Sequence, residues 1–230
     1  MALWPGAGLG LQDEWQGRRH ERQRGRFEGV KTRPVHGMAA WLSLAALSFE
    51  PTMELPLKLY YSPVACSLSP HIVLEEAGLP YEAVLASTKT HKLQDGTDYY
   101  SINPKGYVPL LELDNGERLT EGPVIVQYIA DQVPERGLIP AAGTLERYRV
   151  QEWLNFITSE LHKGFSPLFN PALPEEAKVL FRAKLVERFT WVDSQLAGKS
   201  YLTGDAFCVA DAYLFTVANW SQFVGVDIAG

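Results

Sequence analysis

A single cysteine lies where a predicted strand passes through a turn into a predicted helix, in the stretch YYSPVACSLSPH at residues 60–71. Such a turn leaves unpaired N–H groups and the positive end of a helix dipole beside the thiol, which predicts a lowered pKa for Cys66. Ser69 follows three residues later, as in a redox motif that lacks its second cysteine. This arrangement can form a mixed disulfide with an outside thiol but cannot resolve it internally. A buried, unreactive cysteine is the alternative.

A proline stands directly before a predicted strand in NPKGYVPLLEL at residues 103–113. Because proline cannot donate a hydrogen bond to a sheet, the Val108–Pro109 bond is a candidate cis peptide that exposes neighbouring backbone to a ligand. An ordinary edge-strand proline is the alternative.

A helix start next to a carboxylate is predicted in LTEGPVIVQY at residues 119–128. Thr120 or Glu121 would cap the helix, and Gly122 would leave its N–H groups open. Such a site binds a zwitterion, with the carboxylate on the N–H groups and the ammonium on Glu121. Plain capping is the alternative.

These three stretches belong to an α/β unit at residues 53–133. The predicted order is strand, helix, strand, then two strands joined at Asn115–Gly116 and a final helix, and Asn-Gly is a strong hairpin signal. The strands are LKLYYS, YEAVLA and the two halves of VPLLELDNGERLTEG, and the helices are SPHIVLEEAG and PVIVQYIADQV.

A Pro- and Gly-rich linker at residues 134–143 precedes a helical domain at 144–230. Long helices are predicted over 144–165, 174–198 and 208–223. The first would present one apolar face, formed by Leu145, Tyr148, Trp153, Phe156, Ile157 and Leu161.

Composition indicates a globular protein of 230 residues with a net charge of −6, which argues against nucleic acid as a partner. Two distant cysteines and five unclustered histidines favour neither a disulfide framework nor a metal site. Residues 1–52 lack any sustained period, so we interpret them as a disordered extension that precedes a natural start at Met53. Their apolar run at 38–49 is too short to span a membrane, although a signal-peptide core is an alternative.

Together these motifs resemble the glutathione S-transferase family, most closely its bacterial beta class. The resemblance begins at about Lys58 and rests on LKLYYSPVACSLSPHIVLEEAGL, INPKGYVPLLELDNG, LTEGPVIVQYIAD, ERYRVQEWLNFITSELHKGFSPLF and VADAYLF. It implies a thioredoxin-like N-terminal domain and a helical C-terminal domain.

The resemblance also implies roles for individual residues. Cys66 would be the catalytic thiol, Val108 would pair with the cysteinyl part of glutathione beside cis Pro109, and Glu121 with Gly122 would hold the γ-glutamyl end. From the helical domain, His162 would assist proton transfer near neutral pH and Lys163 would stabilise anionic glutathione. Asn155 and Ser159, also from the helical domain, would contact glutathione.

The chain departs from the family pattern at three places. His91 stands where a lysine is common, with Lys89 and Lys92 beside it, so recognition of the glycine carboxylate of glutathione would be weaker or rearranged. Cys208 replaces a Ser or Thr helix cap, at a cost of about 1 kcal/mol, and would be a buried structural thiol. The family pattern continues beyond Gly230, so we expect a truncated helical domain whose residues Trp220, Phe223 and Val224 are exposed.

We therefore expect an enzyme that conjugates glutathione, its co-substrate, to small electrophiles, with thiol–disulfide exchange or dehalogenation through Cys66. The alternative is a non-catalytic glutathione-binding or interaction protein, inactivated by truncation. By resemblance the protein would be a cytoplasmic homodimer that uses no metal and binds neither nucleic acid nor membrane.

Overall fold

A mixed four-stranded sheet forms the first half of the structure, a computed structural model that describes residues 57–228. The predictions for residues 1–52 lie outside the described residues. The strands are β1 (Leu57–Tyr61), β2 (Tyr81–Leu85), β3 (Leu110–Glu112) and β4 (Arg118–Thr120), in the spatial order β2-β1-β3-β4. β1 pairs in parallel with β2 and antiparallel with β3, and β3 pairs antiparallel with β4.

Two helices accompany this sheet, α1 (Leu68–Ala77) and α2 (Gly122–Asp131). α1 ends at Gly78, whose φ of 70° gives the left-handed cap that glycine adopts most easily. α2 begins with Gly122 and Pro123, and proline is well tolerated in the first turn of a helix. The predicted thioredoxin-like arrangement of strands and helices is therefore confirmed.

The second half is helical, with α3 (Leu145–Phe156), α4 (Glu175–Leu196) and α5 (Val209–Ala218). The helix predicted over 144–165 is interrupted, because α3 passes into a π-helical segment at Ile157–His162 and then a single α-turn at Lys163–Phe165. The helix predicted over 208–223 also ends early, at Ala218, and a short helical turn follows at Ser221–Val224.

The buried face of α3 differs from the predicted one. Leu145 and Tyr148 are exposed, while Val150 and Leu154 are buried together with Arg147. The apolar pattern was misleading because two nitrogens of the Arg147 guanidinium find hydrogen-bond acceptors inside the protein. It donates two hydrogen bonds to Asp131 at the end of α2, of 2.7 and 2.8 Å, and one to the carbonyl of Pro140.

One continuous apolar core runs through both halves. Leu59 and Leu111 of the sheet, Ile125 of α2, Leu154 of α3 and Val217 of α5 belong to the same buried cluster. α5 packs against both α1 and α2. The helical half thereby fixes the position of α1, whose N-terminus follows Cys66.

The end of the described chain corrects one prediction. Trp220 is buried, with 7 % of its surface exposed, because its ring packs against Phe165 and its indole N–H is hydrogen-bonded. Phe223 is 52 % exposed and Val224 is half-buried.

Cys208 is buried and precedes α5, as predicted for a structural thiol. The missing Ser or Thr cap is partly replaced by Asp211, whose carboxylate accepts hydrogen bonds from the backbone N–H groups of Cys208 and Leu202. The negative charge also stabilises the start of the helix.

Within residues 57–228, no helix is both long and apolar enough to span a membrane. The same residues contain no group of three or more His, Cys, Asp or Glu side chains arranged to hold a metal ion.

Candidate active site

The turn before Cys66 is held by the backbone and by one buried hydroxyl. Ser67 accepts a hydrogen bond from the N–H of Ser62 and donates one to the carbonyl of Ser62, both at 3.1 Å. From the helical half, the indole N–H of Trp220 donates to the carbonyl of Val64 at 2.7 Å. The position of the thiol therefore depends on both halves of the protein.

The pKa of the Cys66 thiol is raised in this environment, contrary to the lowered pKa that the sequence predicts. Burial raises the pKa of Cys66 to about 11, and this outweighs the opposite effect of the N–H groups of Cys66 and Ser67. The charge of Glu121 raises the pKa further, and that of Lys163 lowers it. The helix-start effect is present, but desolvation of the thiolate is larger.

Val108 and Pro109 lie directly beside this thiol. Cys66 Sγ donates a hydrogen bond to the carbonyl of Val108 at 3.1 Å, and the Val108–Pro109 bond is cis, as predicted. A Cβ placed on Gly122 would lie 3.8 Å from Cγ of Pro109. The thiol, the cis proline and the start of α2 are therefore neighbours.

Glu121 precedes α2 without capping it through its side chain. The plain capping alternative is thus excluded for this carboxylate, which instead forms an ion pair with Lys105, with Nζ 3.0 Å from Oε1. The Glu121 side chain is 66 % exposed. It is therefore accessible to an ammonium group of a ligand.

Two of the four predicted residues of the helical half, Ser159 and His162, lie in the π-helical segment, and Asn155 and Lys163 flank it. Ser159 is exposed and donates to the carbonyl of the exposed Asn155 at 3.1 Å. Lys163 is also exposed, and its charge acts on both Cys66 and His162. π-Helical turns change which residues share a face, and they occur frequently at functional sites.

His162 turns toward the protein interior. Its Nδ1 lies 2.7 Å from the hydroxyl of Tyr213, and its ring packs edge-on against Trp220 at 4.8 Å between centroids. Burial lowers the pKa of His162 to about 4, with a further lowering from Lys163 and a small opposing effect of Glu121. The prediction that this ring titrates near neutral pH is therefore wrong, since an imidazolium here loses its hydration.

His91 lies away from the thiol turn but close to the loop before Val108. Its ring stacks on Tyr100 with centroids 4.6 Å apart, and a Cβ at Gly106 would lie 3.0 Å from its Nδ1. The structure therefore does not bring His91 into contact with Cys66, although it places the ring beside the NPKGYVP loop.

Strained backbone is concentrated around these residues. Among the described residues, positive φ outside glycine occurs at Val64, His91 and Glu121, with values of 65°, 51° and 71°. Such conformations cost about 1–3 kcal/mol each and cluster at functional sites. They flank the thiol, the NPKGYVP loop and the start of α2.

Sequence reasoning missed three residues of this site. Tyr213 contacts His162, and the charges of Cys66 and Glu121 contribute to its raised pKa, whose largest cause is burial. Trp220 supports the thiol turn, and Lys105 pairs with Glu121. Tyr213 and Trp220 lie in an apolar helical stretch that is typical of a core, so only their polar atoms distinguish them from packing residues.

Comparison with known proteins agrees with this arrangement. The family model "Glutathione S-transferase, N-terminal domain" matches residues 65–132, and "Glutathione S-transferase, C-terminal domain" matches 156–229. The chain is 46% identical to the glutathione S-transferase GstA of Escherichia coli O157:H7 over 174 residues, which covers 76% of this chain and 87% of that protein.

Two solved structures are similar in both sequence and fold. A sphingomonad glutathione S-transferase complexed with glutathione has 48% identity and a TM-score of 0.72, covering 75% of this chain and 86% of its own. A bacterial beta class transferase from Sphingomonas chungbukensis has 46% identity and a TM-score of 0.72, with the same coverage.

The protein has a thioredoxin-like sheet followed by a helical half. A thiol, a cis proline and an acidic helix start lie together in it, as expected for an enzyme that binds glutathione. The chain belongs to the glutathione S-transferase family. Within that family, its close relatives are of the bacterial beta class, which confirms the resemblance stated from the sequence.

Proposed function

We propose that this protein is a glutathione transferase that joins glutathione to small electrophiles and also performs thiol–disulfide exchange through Cys66. The observation that carries the proposal is the Cys66 thiol 3.1 Å from the carbonyl of Val108, the residue before cis Pro109. In this position the thiol adjoins the Val108 backbone, and the charge of the Glu121 carboxylate acts on it.

Glutathione fits this group of residues. Its γ-glutamyl end would place an ammonium on Glu121 and a carboxylate on the N–H groups that open α2. Its cysteinyl N–H would donate to the carbonyl of Val108, which also accepts from Cys66. Asn155, Ser159 and His91 stay predicted contacts for the rest of the peptide.

The exchange step needs only the Cys66 thiolate and oxidised glutathione. The thiolate attacks one sulfur of the disulfide, a bond forms between Cys66 and that glutathione, and the other glutathione leaves as a thiolate that takes up a proton. Lys163 favours this step because its positive charge lowers the pKa of Cys66. Conjugation uses the thiolate of bound glutathione, which attacks the electrophile and displaces its leaving group.

His162 acts as a neutral group in this proposal. With a pKa of about 4 the ring is uncharged at pH 7, so one of its nitrogens donates a hydrogen bond and the other accepts one. Its Nδ1 contact with Tyr213 fixes the ring, and we infer that it orients bound thiol or leaving group through its second nitrogen.

The test is incubation of the purified chain with oxidised glutathione, followed by intact mass and peptide mapping. We expect one adduct, on Cys66 and not on the buried Cys208. Because the pKa of Cys66 is about 11, the rate should rise about tenfold per pH unit between pH 7 and 10.

Two variants make this test specific. Cys66→Ala should abolish the adduct while still binding glutathione, whereas Cys208→Ala should leave the adduct unchanged. An adduct that persists in a folded Cys66→Ala sample would overturn the proposal.

The alternative, a glutathione-binding protein without turnover, has one observation in its favour, the high pKa of Cys66. Binding of glutathione without turnover of any electrophile, and without an adduct at high pH, would favour it.

We also propose a homodimer in the cytoplasm. Leu145 and Tyr148 on α3 and Val124 on α2 are large apolar side chains that remain exposed. A second copy is the simplest partner for such exposed apolar side chains. Both described cysteines are free, which fits a reducing compartment.

A further inference from the structure

Lys105 occupies a position that neither the sequence motifs nor the proposed glutathione contacts explain. Its Nζ lies 3.0 Å from Oε1 of Glu121 and 3.3 Å from the hydroxyl of Thr120, immediately before α2. The Lys105 side chain is 53 % exposed. It therefore places a positive charge at the accessible surface of the γ-glutamyl site.

The backbone of Lys105 is held in place by a buried side chain. Asn103 accepts a hydrogen bond from the Lys105 N–H at 3.2 Å and donates to the carbonyl of Tyr107 at 2.8 Å. Asn103 is buried. The loop that continues to Val108 therefore presents Lys105 from a fixed position.

A single acidic residue is an incomplete receptor for the α-amino acid end of a peptide. Glu121 attracts the ammonium group, but it repels the carboxylate carried on the same carbon atom. The N-terminus of α2 offsets this repulsion with roughly half a positive charge. A lysine beside Glu121 supplies a full positive charge. The Lys105–Glu121 pair is therefore complementary to a zwitterion whose carboxylate faces Lys105 and whose ammonium faces Glu121.

We propose that Lys105 is a specificity-determining residue that binds the α-carboxylate of the γ-glutamyl group, opposite the ammonium bound by Glu121. This inference rests on the proposed function and names the feature of the peptide that the site selects. The preferred ligands are peptides with an intact, free α-amino acid group at this end. Peptides that lack the α-carboxylate lose the contact with Lys105.

The experiment compares two S-methylated peptides by calorimetry, so that no disulfide can form. One is S-methylglutathione, and the other carries 4-aminobutyryl in place of γ-glutamyl, which removes only the α-carboxylate. Lys105→Gln removes the charge of the side chain, and Lys105→Arg retains it. Lys199→Gln, at an exposed lysine after α4, is the control for loss of a surface charge.

We expect Lys105→Gln to weaken binding of S-methylglutathione by about threefold to fivefold, the upper part of the range for an exposed charge pair. The same substitution should leave binding of the truncated peptide unchanged, and Lys105→Arg and Lys199→Gln should bind both peptides like the unaltered chain.

Other results contradict the assignment. An equal loss for both peptides would mean that Lys105 only supports the loop. Tighter binding of S-methylglutathione by Lys105→Gln would mean that the lysine competes with the ligand ammonium for Glu121, and unchanged binding would mean that it has no role. If the unaltered chain binds neither peptide, the proposed function itself fails.

Discussion

At the scale of single residues, desolvation and local charge oppose each other at Cys66. The strand, turn and helix that enclose this thiol are evident in the sequence, and the N–H groups there do lower its pKa. How far the side chain is buried is a tertiary property, and it sets the net shift to about 11. The sequence thus predicts where the thiol lies, but not its protonation in the free protein.

His162 gives a residue-scale prediction about acid stability. Well above pH 6.5 the ring is neutral in the folded and the unfolded chain, so it contributes no pH dependence. Between 6.5 and about 4 only the unfolded chain takes up the proton, which should lower the free energy of unfolding by about 2 kcal/mol at pH 5.

The measurement is urea unfolding from pH 4.5 to 8 for the unaltered chain and for His162→Gln, which retains a polar contact for Tyr213. The variant should lose this component of the pH dependence and should differ from the unaltered chain by a constant amount above pH 7. An identical pH profile in both proteins would show that His162 is not the group that titrates.

At the scale of secondary structure, the elements themselves were predictable and their interruptions were not. The alternation of LKLYYS, the Asn-Gly hairpin and the glycine stop at Gly78 are local signals, and each predicted element is present. The π-helical segment at Ile157–His162 has no such local signal. Its last residue, His162, contacts Tyr213 and Trp220, which come from a distant part of the chain.

Trp220 allows the link between the last helices and the thiol turn to be tested. Trp220→Phe retains most of the ring packing but removes the hydrogen bond to the carbonyl of Val64. We expect a loss of about 1 kcal/mol in the free energy of unfolding. We also expect slower formation of the glutathione adduct on Cys66, because Val64 holds an unfavourable positive φ that this bond helps to fix.

The control is Trp191→Phe, at a half-exposed tryptophan of α4 that packs on Trp153 and Phe156. It should not alter the rate of adduct formation. Equal rates of adduct formation in Trp220→Phe and the unaltered chain would show that Trp220 does not influence the reactivity of Cys66.

At the scale of the whole molecule, a shared apolar core and the ion pair between buried Arg147 and half-exposed Asp131 join the two halves. The apolar pattern predicted most of the core, but it could not show that Arg147 is an interior residue of α3. That placement depends on Asp131 and Pro140, which lie in another element and in the linker. The predicted domain boundaries at 133 and 144 stay predictions.

Arg147→Met should therefore lower the free energy of unfolding by about 1–3 kcal/mol, because the Asp131 carboxylate and the Pro140 carbonyl lose their donor. Arg149→Met is a matched control on the same helix, since Arg149 and its partner Glu152 are both largely exposed. It should change the free energy of unfolding by less than about 0.5 kcal/mol.

The effect of Arg147→Met also has a defined pH dependence. The Arg147 guanidinium lowers the pKa of Asp131, so the stabilisation is present above the ordinary pKa of a carboxyl group and is lost as pH falls below it. The two proteins should therefore begin to converge in stability as pH falls below about 4 and through the lowered pKa of Asp131. If the difference in free energy of unfolding between the two proteins stays constant down to about pH 3, the loss of stability in Arg147→Met comes from packing alone.

The serine at position 69 has a consequence for the equilibrium of the proposed exchange. A dithiol site releases two glutathione molecules for each disulfide it forms, so its oxidation depends on the square of the glutathione concentration. Cys66 has no neighbouring thiol and releases only one glutathione, so the occupied fraction depends on the ratio of oxidised to reduced glutathione. Such a site responds to the oxidation state of the glutathione pool and is insensitive to the pool's total size.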